Sequence, residues 1–451
     1  MSKPGLGTFL PQEGGPGYSS TGTRDNFLAL FAPLRDRRDV LIIDKRGTGG
    51  SQPVDCHALQ YGSSTDPAAL KACGRELGSR ADIYGTALAV ADMVAVLDAL
   101  EIDSVDFYGD SYGTFFGQVF AARYPTRVRS LVLDGTYPVR VSDVWFPTDY
   151  TTALRGIDLT CERTAECNEF GGRASARIAG LVDELREHPI AGIAPDANGQ
   201  LQPVTVDPST LYAVIANAGY AASVYRELDA AVRGWFQAGD ALPILRLAAE
   251  YNTSQGVDPS TYSAGLFTAV SCSDYPLLFN LSAPPATRRR QLDAAIESTE
   301  RQRPRLYAPF TITEALGSSA NINPLALCLD WPAPSPAYPQ GQSIPPGVSL
   351  PGVPTLILNG EFDSVTSPED GRQTARQFPK ATQIIIPNQG HVTALDTRTM
   401  AAIWWNVRRE SSGSSTPIWT SMTRAVWRAC DRCERSLNLH RRARRSTRLW
   451  P

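Results

Sequence analysis

Histidine and long apolar runs are both scarce in this chain. It contains only four histidines in 451 residues. It has no run of about eighteen consecutive apolar residues, the length that a membrane-spanning helix requires. The first twelve residues include one lysine but neither an apolar segment nor a cleavage pattern, so we expect no export signal in the chain as given. We also expect no membrane span.

The charge is small overall and unevenly distributed. The formal net charge is −3, but residues 422–451 hold nine arginines against two acidic residues, which leaves the other residues with a net charge of −10. An acidic body of this kind does not favour contact with the phosphate backbone of a nucleic acid. We therefore expect no nucleic-acid partner.

The chain contains eight cysteines, an even number that allows disulfides in an oxidising compartment. Spacing alone does not fix their connectivity, and buried thiols are the alternative. We predict the three local pairs Cys56–Cys73, Cys161–Cys167 and Cys272–Cys328.

The most informative stretch is residues 105–117, V-D-F-Y-G-D-S-Y-G-T-F-F-G, with Ser111 at its centre. A short strand, a Gly-x-Ser-x-Gly turn and a helix follow one another there. In a nucleophile elbow of this type, Gly109 and Gly113 leave room for the sharp turn that exposes the serine. The pattern predicts Ser111 as a catalytic nucleophile, and an ordinary strand-to-helix turn is the alternative.

A serine nucleophile needs a histidine base and a carboxylate that orients the base. Among the histidines, only His391 follows an apolar strand-like run, Gln383 to Pro387, and Asp363 follows another, Val353 to Leu358. Open α/β sheets keep their catalytic groups at the carboxyl ends of strands. The order Ser111, Asp363, His391 is that of the α/β hydrolases, and it predicts a catalytic triad.

A glycine-rich loop, Gly14-Gly15-Pro16-Gly17, follows a short predicted strand at Thr8 to Leu10. In an α/β hydrolase, one oxyanion donor comes from the residue after the nucleophile and another from a loop in this place. We expect an oxyanion hole formed by the backbone N–H groups of Tyr112 and of Gly14 or Gly15. A plain turn is the alternative interpretation of the loop.

The order of the predicted elements indicates an α/β protein, a mostly parallel sheet with helices on both faces. Strands alternate with helices at the start, and a long segment of mainly helical pattern then interrupts them before the alternation resumes. A cap made by this insertion would cover the cleft and exclude water. The predicted parts are a hydrolase core in residues 1–137 and 346–410, a mainly helical cap in residues 138–345, and a basic, flexible tail in residues 411–451.

The basic tail has a composition typical of a solvated, partly disordered segment. It contains Cys430, Cys433 and His440. Together they offer three ligands, one short of the four in a structural zinc site. We expect no metal and no cofactor.

Taken together, these motifs resemble the secreted tripeptidyl-aminopeptidase-like α/β hydrolases of actinobacteria, relatives of the proline iminopeptidases. The matching stretches are G-G-P-G at 14–17, D-K-R-G-T-G-G-S at 44–51, G-D-S-Y-G-T at 109–114, C-S-D-Y-P at 272–276, G-E-F-D at 360–363 and G-H at 390–391. The resemblance implies a cofactor-free enzyme that cleaves amide bonds near a free N-terminus through an acyl-enzyme. It also implies Ser111 as the nucleophile, Asp363 as the acid and His391 as the base.

An exopeptidase of this type needs an anionic group that holds the ammonium group of its substrate. Asp274 is our first candidate, with Glu227 and Asp229 behind it, although each could equally be a surface or capping residue. A carboxylesterase or lactonase on the same fold is the nearest alternative, because the triad does not distinguish esters from amides. From a different class, the chain could be an inactive, truncated binding module.

Two further expectations concern the start of the chain and its location. Members of the resembling family carry a signal peptide and at least two strands ahead of the glycine-rich loop, which begins here at residue 14. We therefore expect either that the start of the chain is misplaced or that the sheet lacks its leading strands. The resemblance and the cysteines imply a secreted or cell-envelope protein, whose partner is a peptide or a small ester or amide substrate.

Overall fold

The computed structural model describes residues 7–62, 66–252, 257–317 and 324–395. The basic tail lies outside these residues, as do Cys430, Cys433, His440 and most of a helix predicted from Ala394 to Arg408. Within the described residues, no helix is both long enough and apolar enough to cross a membrane.

In the described ranges, eight strands form a central sheet and a small separate hairpin. The strands are β1 Thr8–Gln12, β2 Asp39–Val40, β3 Val105–Asp110, β4 Val128–Asp134, β5 Ile190–Pro195, β6 Leu201–Val206, β7 Thr355–Gly360 and β8 Ala381–Ile386. The central sheet has the order β2-β1-β3-β4-β7-β8, and β5 pairs only with β6. All neighbours in the central sheet run parallel, as the alternation of predicted strands and helices implies.

The helices connect the strands and build the segment between β4 and β7. In chain order they are α1 Arg24–Leu30, α2 His57–Tyr61, α3 Pro67–Leu77, α4 Thr86–Ala99, α5 Tyr112–Arg123, α6 Pro147–Arg163, α7 Ala165–Asn168, α8 Ala174–Glu187, α9 Pro208–Ala216, α10 Ala222–Ala238, α11 Leu242–Tyr251, α12 Ala264–Asp274, α13 Pro285–Gln302, α14 Ile312–Leu316, α15 Pro324–Leu327 and α16 Pro368–Gln377. Several begin with proline, whose missing N–H costs no helical hydrogen bond at that position.

The central strands are buried because helices cover both faces of the sheet, as parallel sheets require. On one face, Leu97 of α4 and Phe116 of α5 pack in a large cluster against the strands. On the other face, Phe27 of α1 packs in a smaller cluster with Phe9 and Tyr108. The chain therefore has the α/β-hydrolase architecture that its sequence predicts.

The insertion has two parts with different packing. The helices α6, α8, α9, α10 and α11 form a hydrophobic cluster of their own with the hairpin β5–β6. The helix α12 packs instead in the cluster that covers the sheet. The cap that we propose for residues 138–345 therefore has two portions. One portion packs as a separate layer, and the other portion extends the hydrophobic core over the sheet.

The structure differs from the sequence prediction at two places. The apolar run V-L-I-I-D at 40–44 predicts a longer strand than β2, which ends at Val40; beyond it, the Asp44 carboxylate accepts hydrogen bonds from Thr21 and Gly50. The hairpin β5–β6 was not predicted, because glycine and proline interrupt its strands. Its turn contains Asn198-Gly199, with a φ of 78° at the glycine, a sequence that is typical of hairpins.

Three disulfides join the cysteine pairs named from the sequence. They are Cys56–Cys73, Cys161–Cys167 and Cys272–Cys328. The first and third lie in the cluster over the sheet, and the second lies in the cap cluster.

Candidate active site

Ser111 lies in the turn between β3 and α5 with a φ of 48°, a left-handed conformation that is strained for a serine. A Cβ atom on Gly109 would lie 2.2 Å from the carbonyl oxygen of Gly113, and one on Gly113 would lie 2.1 Å from that of Gln12. Neither position accepts a side chain, which explains the Gly-x-Ser-x-Gly pattern. The turn presents Ser111 to a cavity beneath the cap.

Asp363 and His391 lie beyond the ends of β7 and β8 and contact each other. His391 Nδ1 lies 3.0 Å from Oδ2 and 3.1 Å from Oδ1 of Asp363. The buried carboxylate also accepts hydrogen bonds from the backbone N–H groups of Val365 and Thr366 and from the Thr366 hydroxyl, at 3.0, 2.9 and 2.8 Å. These donors fix the carboxylate, which in turn orients the imidazole.

The loop that carries His391 is held by a residue that sequence reasoning missed. Asp134, at the end of β4, accepts hydrogen bonds from the backbone N–H and hydroxyl of Thr393, both at 2.9 Å, and from the backbone N–H of Ala394 at 2.6 Å. Val392 has a φ of 59°, which is a strained value for a β-branched residue. The bonds to Asp134 offset this strain. The position of Asp134 at the end of a strand is the sequence signal that could have indicated this role.

The hydrogen bond between Ser111 and His391 is not formed in the structure. Nε2 of His391 is buried and has no hydrogen-bond partner among the described residues. Both residues nevertheless contact the same segment. The backbone N–H of Ser111 donates to the carbonyl oxygen of Asp134 at 2.9 Å, and a Cβ atom on Gly135 would lie 3.1 Å from Cε1 of His391. Catalytic hydrogen bonds are often long in enzymes without substrate and tighten when it binds.

The glycine-rich loop lies against the elbow. A Cβ atom on Gly14 would lie 2.7 Å from the Cβ and 3.3 Å from the Oγ of Ser111, so only glycine allows this approach. Gly15 and Tyr112 line the cavity together with Ser111. The structure therefore brings the three residues of the predicted oxyanion hole to the proposed nucleophile.

A buried lysine, Lys45, holds the two ends of the glycine-rich loop. Lys45 Nζ donates hydrogen bonds to the carbonyl oxygens of Glu13 and Tyr18, at 3.2 and 2.9 Å, on either side of the loop. Burial lowers the pKa of Lys45 to about 8, although the Glu13 carboxylate acts in the opposite direction. The sequence marks residues 44–51 as a family motif, but nothing in the pattern shows which of its side chains turns inward.

Three buried carboxyl groups line the cavity that contains Ser111, which has a volume of about 130 Å³. The first is Asp274 of α12, which accepts hydrogen bonds from the backbone N–H and the hydroxyl of Thr86, at 2.7 and 2.5 Å. The Thr86 hydroxyl also lies 2.7 Å from that of Tyr112. Burial raises the pKa of Asp274, and no cationic side chain pairs with it among the described residues.

The other two carboxyl groups, Asp149 of α6 and Asp370 of α16, meet where the cap joins the core. The backbone N–H of Ser367 lies 3.1 Å from an oxygen of each. Burial and repulsion by Asp370 raise the pKa of Asp149 well above its usual value, and burial raises that of Asp370 to about 6. Sequence reasoning found neither residue, because both look like ordinary acidic residues in the first turn of a helix.

Glu227 and Asp229, the other candidates for an amine-binding group, do not line this cavity. The Glu227 carboxylate pairs with Arg246. The Asp229 carboxylate pairs with Arg177 and Arg233, at 2.7 and 2.9 Å. Of the candidates named from the sequence, Asp274 is therefore the one that the fold places beside Ser111.

A possible metal-binding group in the cap does not fit a metal ion. The sulfur atoms of Cys161 and Cys167 lie within 4.8 Å of the Asp229 carboxylate. The two sulfurs are bonded to each other, so they offer no thiolate ligand.

The cap reaches both loops of the proposed triad through one glycine. The backbone N–H of His391 donates to the carbonyl oxygen of Gly219 at 2.8 Å, and the backbone N–H of Gly219 donates to the Ser364 hydroxyl at 2.8 Å. A Cβ atom on Gly390 would lie 2.2 Å from the same carbonyl oxygen. Cap and core backbones are therefore in direct contact at this point.

Two segments of the chain match the models of known protein families. Residues 8–156 match the model of the alpha/beta hydrolase fold family, and residues 313–403 match that of the TAP-like protein family. The first segment contains Ser111, and the second contains Asp363 and His391.

Curated relatives match most of the chain. Serine protease Hip1 of Mycobacterium tuberculosis is 26% identical over 414 residues, covering 83% of this chain and 73% of the relative. Tripeptidyl aminopeptidase of Streptomyces lividans is 23% identical over 399 residues, covering 82% and 68%. Carboxylesterase B of Mycobacterium tuberculosis is 27% identical over 408 residues, covering 83% and 72%. Two of these relatives are named as peptidases and one is named as an esterase.

Proposed function

Since the chain belongs to the α/β hydrolases and is related to their tripeptidyl-aminopeptidase-like members, we propose that it cleaves amide bonds near the free N-terminus of peptides. In this proposal Ser111 is the nucleophile, His391 the base and Asp363 the acid that orients the base. The backbone N–H groups of Tyr112 and of Gly14 or Gly15 form the oxyanion hole.

The reaction takes two steps. Ser111 Oγ attacks the carbonyl carbon and gives its proton to Nε2 of His391, while Asp363 stabilises the charged imidazole. The oxyanion accepts hydrogen bonds from the backbone donors, and each donor lowers the barrier by about 3 kcal/mol. The C–N bond breaks as Nε2 protonates the leaving amine. Water, deprotonated by the same histidine, then releases the acyl group from the serine.

The observation that supports an exopeptidase is the environment of Asp274. This carboxyl group is buried in the wall of the cavity that Ser111 lines, with hydroxyl and N–H donors; Arg123 acts on it electrostatically, but it forms no ion pair among the described residues. A buried carboxylate is costly unless a cation or strong donors compensate it. The ammonium group of a peptide would supply that cation. Its binding would favour the ionised carboxylate, whose pKa burial otherwise raises.

A carboxylesterase is the second candidate, and one observation favours it. Carboxylesterase B is as similar to this chain as the peptidases are. The same serine, histidine and oxyanion hole would attack an ester or a lactone, and an ester does not require protonation of an amine leaving group. Under this alternative, Asp274 has no ammonium group to bind.

The test is hydrolysis of fluorogenic amides with one, two or three residues, each with a free or an acetylated N-terminus, beside the matching esters. The wild-type protein is compared with Ser111→Ala. We expect cleavage of the free-amine amides, at least about 10³-fold slower in the variant because the nucleophile is absent. Turnover of esters alone would reject the peptidase and support the esterase.

A fluorophosphonate probe separates an enzyme from an inactive binding module. The probe reacts with an activated serine hydroxyl, so a folded preparation should be labelled at Ser111 and the Ser111→Ala variant should not. A folded protein without label at Ser111 would reject both hydrolase proposals.

We also propose that the protein works outside the cytoplasm or in the cell envelope. The three disulfides support this, since such bonds persist mainly in oxidising compartments. Fractionation of the source cells, with antibody detection, would test the location.

A further inference from the structure

A second cavity lies beside His391. It has a volume of about 650 Å³ and is lined by His391 and by residues of α6, α10 and the loops after β7 and β8. Ser111 lines the first cavity and not this one, whereas His391 lines this one and not the first. Tyr220 lines both, and its ring lies edge-on to the imidazole with centroids 5.0 Å apart. The two cavities therefore adjoin the two partners of the proton transfer.

The chemistry of amide cleavage assigns different halves of the substrate to these places. The acyl half stays attached to Ser111, and the leaving half must have its nitrogen beside Nε2 of His391, which gives it a proton as the C–N bond breaks. Nε2 is buried and has no partner among the described residues. A leaving amine would supply that partner.

The charges that line the second cavity are positive. Arg226 is exposed there, and it makes no ion pair in the described part of the chain. Arg163 also lines the cavity, but its guanidinium is occupied by Glu361 at 2.8 Å, so these two charges cancel. The helix α10, which carries Arg226, begins at the cavity with Ala222, and no side chain caps its N-terminus. Uncapped N–H groups at a helix start favour an anion.

The first cavity has the opposite character, because its charged groups are the carboxyl groups of Asp149, Asp274 and Asp370. A peptide has an ammonium group at its start and a carboxylate at its end. A short peptide lying from the first cavity to the second would match both charges in its N-to-C direction.

We propose that the second cavity is the leaving-group site and that it binds a short peptide remainder by its free α-carboxylate, through Arg226 and the N-terminus of α10. This inference rests on the proposed function. It restricts the substrate class to short oligopeptides with a free C-terminus, because the cavity that would hold the carboxylate is the one that His391 lines.

The test uses pairs of peptides that differ only in their last group. Each consists of the acyl part that is cleaved best in the fluorogenic series, followed by one alanine that ends in a carboxylate or in a carboxamide. We expect the wild-type kcat/KM to be about fivefold higher for the carboxylate, a ratio typical of a partly exposed ion pair at a helix N-terminus. Arg226→Gln should bring the ratio close to one, and Arg226→Lys should restore part of it.

The matched control is Arg289→Gln, an exposed arginine of α13 away from both cavities, which should keep the wild-type ratio. A wild-type ratio of one, or a ratio that Arg226→Gln leaves unchanged, would reject the leaving-group site while the peptidase stands. Failure to cleave either peptide, with esters still hydrolysed, would instead reject the proposed function.

Discussion

The core and the cap contribute to the candidate site in different ways. The core places Ser111, Asp363 and His391 at the ends of parallel strands, where the sheet fixes the backbone. The insertion adds Asp149 from a helix without a recognisable motif and Asp274 from the C-S-D-Y-P stretch. In the proposed enzyme, the reaction type therefore depends on residues at strand ends, whereas the choice of substrate depends on how separate helices pack.

The largest expected effect compares two disulfides of the insertion, one in the cluster that covers the sheet and one in the cap cluster. Cys272–Cys328, in the core cluster, spans 56 residues, and Cys161–Cys167, in the cap cluster, spans 6. Because a longer closed loop restricts the unfolded chain more, C272A/C328A should lose about 4 kcal/mol of unfolding free energy and C161A/C167A about 2 kcal/mol. Urea unfolding of both variants measures the difference. An equal or reversed loss would show that the cap limits stability.

The next effect is on catalysis and concerns the core. Asp134→Ala removes the acceptor that holds Thr393 and Ala394, so the strained loop should shift and displace His391. A displacement of about 1 Å can cost about a hundredfold in rate. We expect that fall in kcat with little change in KM, and an altered acid limb of the pH–rate profile.

Thr393→Ser is the matched control for Asp134, because it keeps both the N–H and the hydroxyl that Asp134 accepts. It should remain close to the wild type. An Asp134→Ala protein with normal kcat would show that the sheet alone positions His391.

The third effect concerns selectivity in the cap. Asp274→Asn should lower the ratio of kcat/KM between free and acetylated amides by about thirtyfold, or about 2 kcal/mol, because it removes a charge-assisted hydrogen bond. The control is Glu227→Gln, a cap carboxylate that does not line the cavity and pairs with Arg246. A ratio that Asp274→Asn does not change would place the ammonium group elsewhere.

The smallest effect concerns the carboxyl pair at the cap–core boundary. The pKa of Asp370 is raised to about 6 and that of Asp149 is also raised, against about 3.9 in an unfolded chain. The folded protein therefore binds more protons between about pH 4 and pH 6, and its stability falls as the pH rises through this range. Asp149→Asn should reduce the decline and stabilise the protein at pH 7 by about 1 kcal/mol.

Thermal unfolding between pH 4 and pH 8 measures this decline. Asp183→Asn, at an exposed acid of α8, serves as the control and should follow the wild type. If the stability of the wild-type protein instead rises from pH 4 to pH 6, other titratable groups dominate the pH dependence of its stability.

Much of the core could be predicted because its signals are local. The strand β3, the elbow and the start of the helix α5 follow from thirteen consecutive residues, and a Cβ atom on Gly109 would meet the backbone of Gly113 within that stretch. Asp363 and His391 could be placed because apolar runs mark the strands before them. The parallel sheet follows from the alternation of strands and helices.

The rest depends on contacts between distant segments. Asp134 reaches the His391 loop 259 residues further along the chain, and Asp149 reaches the N-terminus of α16 218 residues away. No local pattern distinguishes these aspartates from the many that cap helices or face solvent. Arg226 is equally ordinary in sequence, and only the second cavity gives it a proposed role.

The contact at Gly219 limits how this enzyme can be re-engineered. Its carbonyl oxygen and N–H bind the backbone of His391 and the side chain of Ser364, so the cap supports the loops that carry two residues of the proposed triad. A chimera that takes its cap from a relative would disturb those loops even if it kept Ser111, Asp363 and His391. The smallest exchangeable module is the cap together with residues 359–367 and 388–394, and laboratory recombination should place its crossover points in the strands on either side.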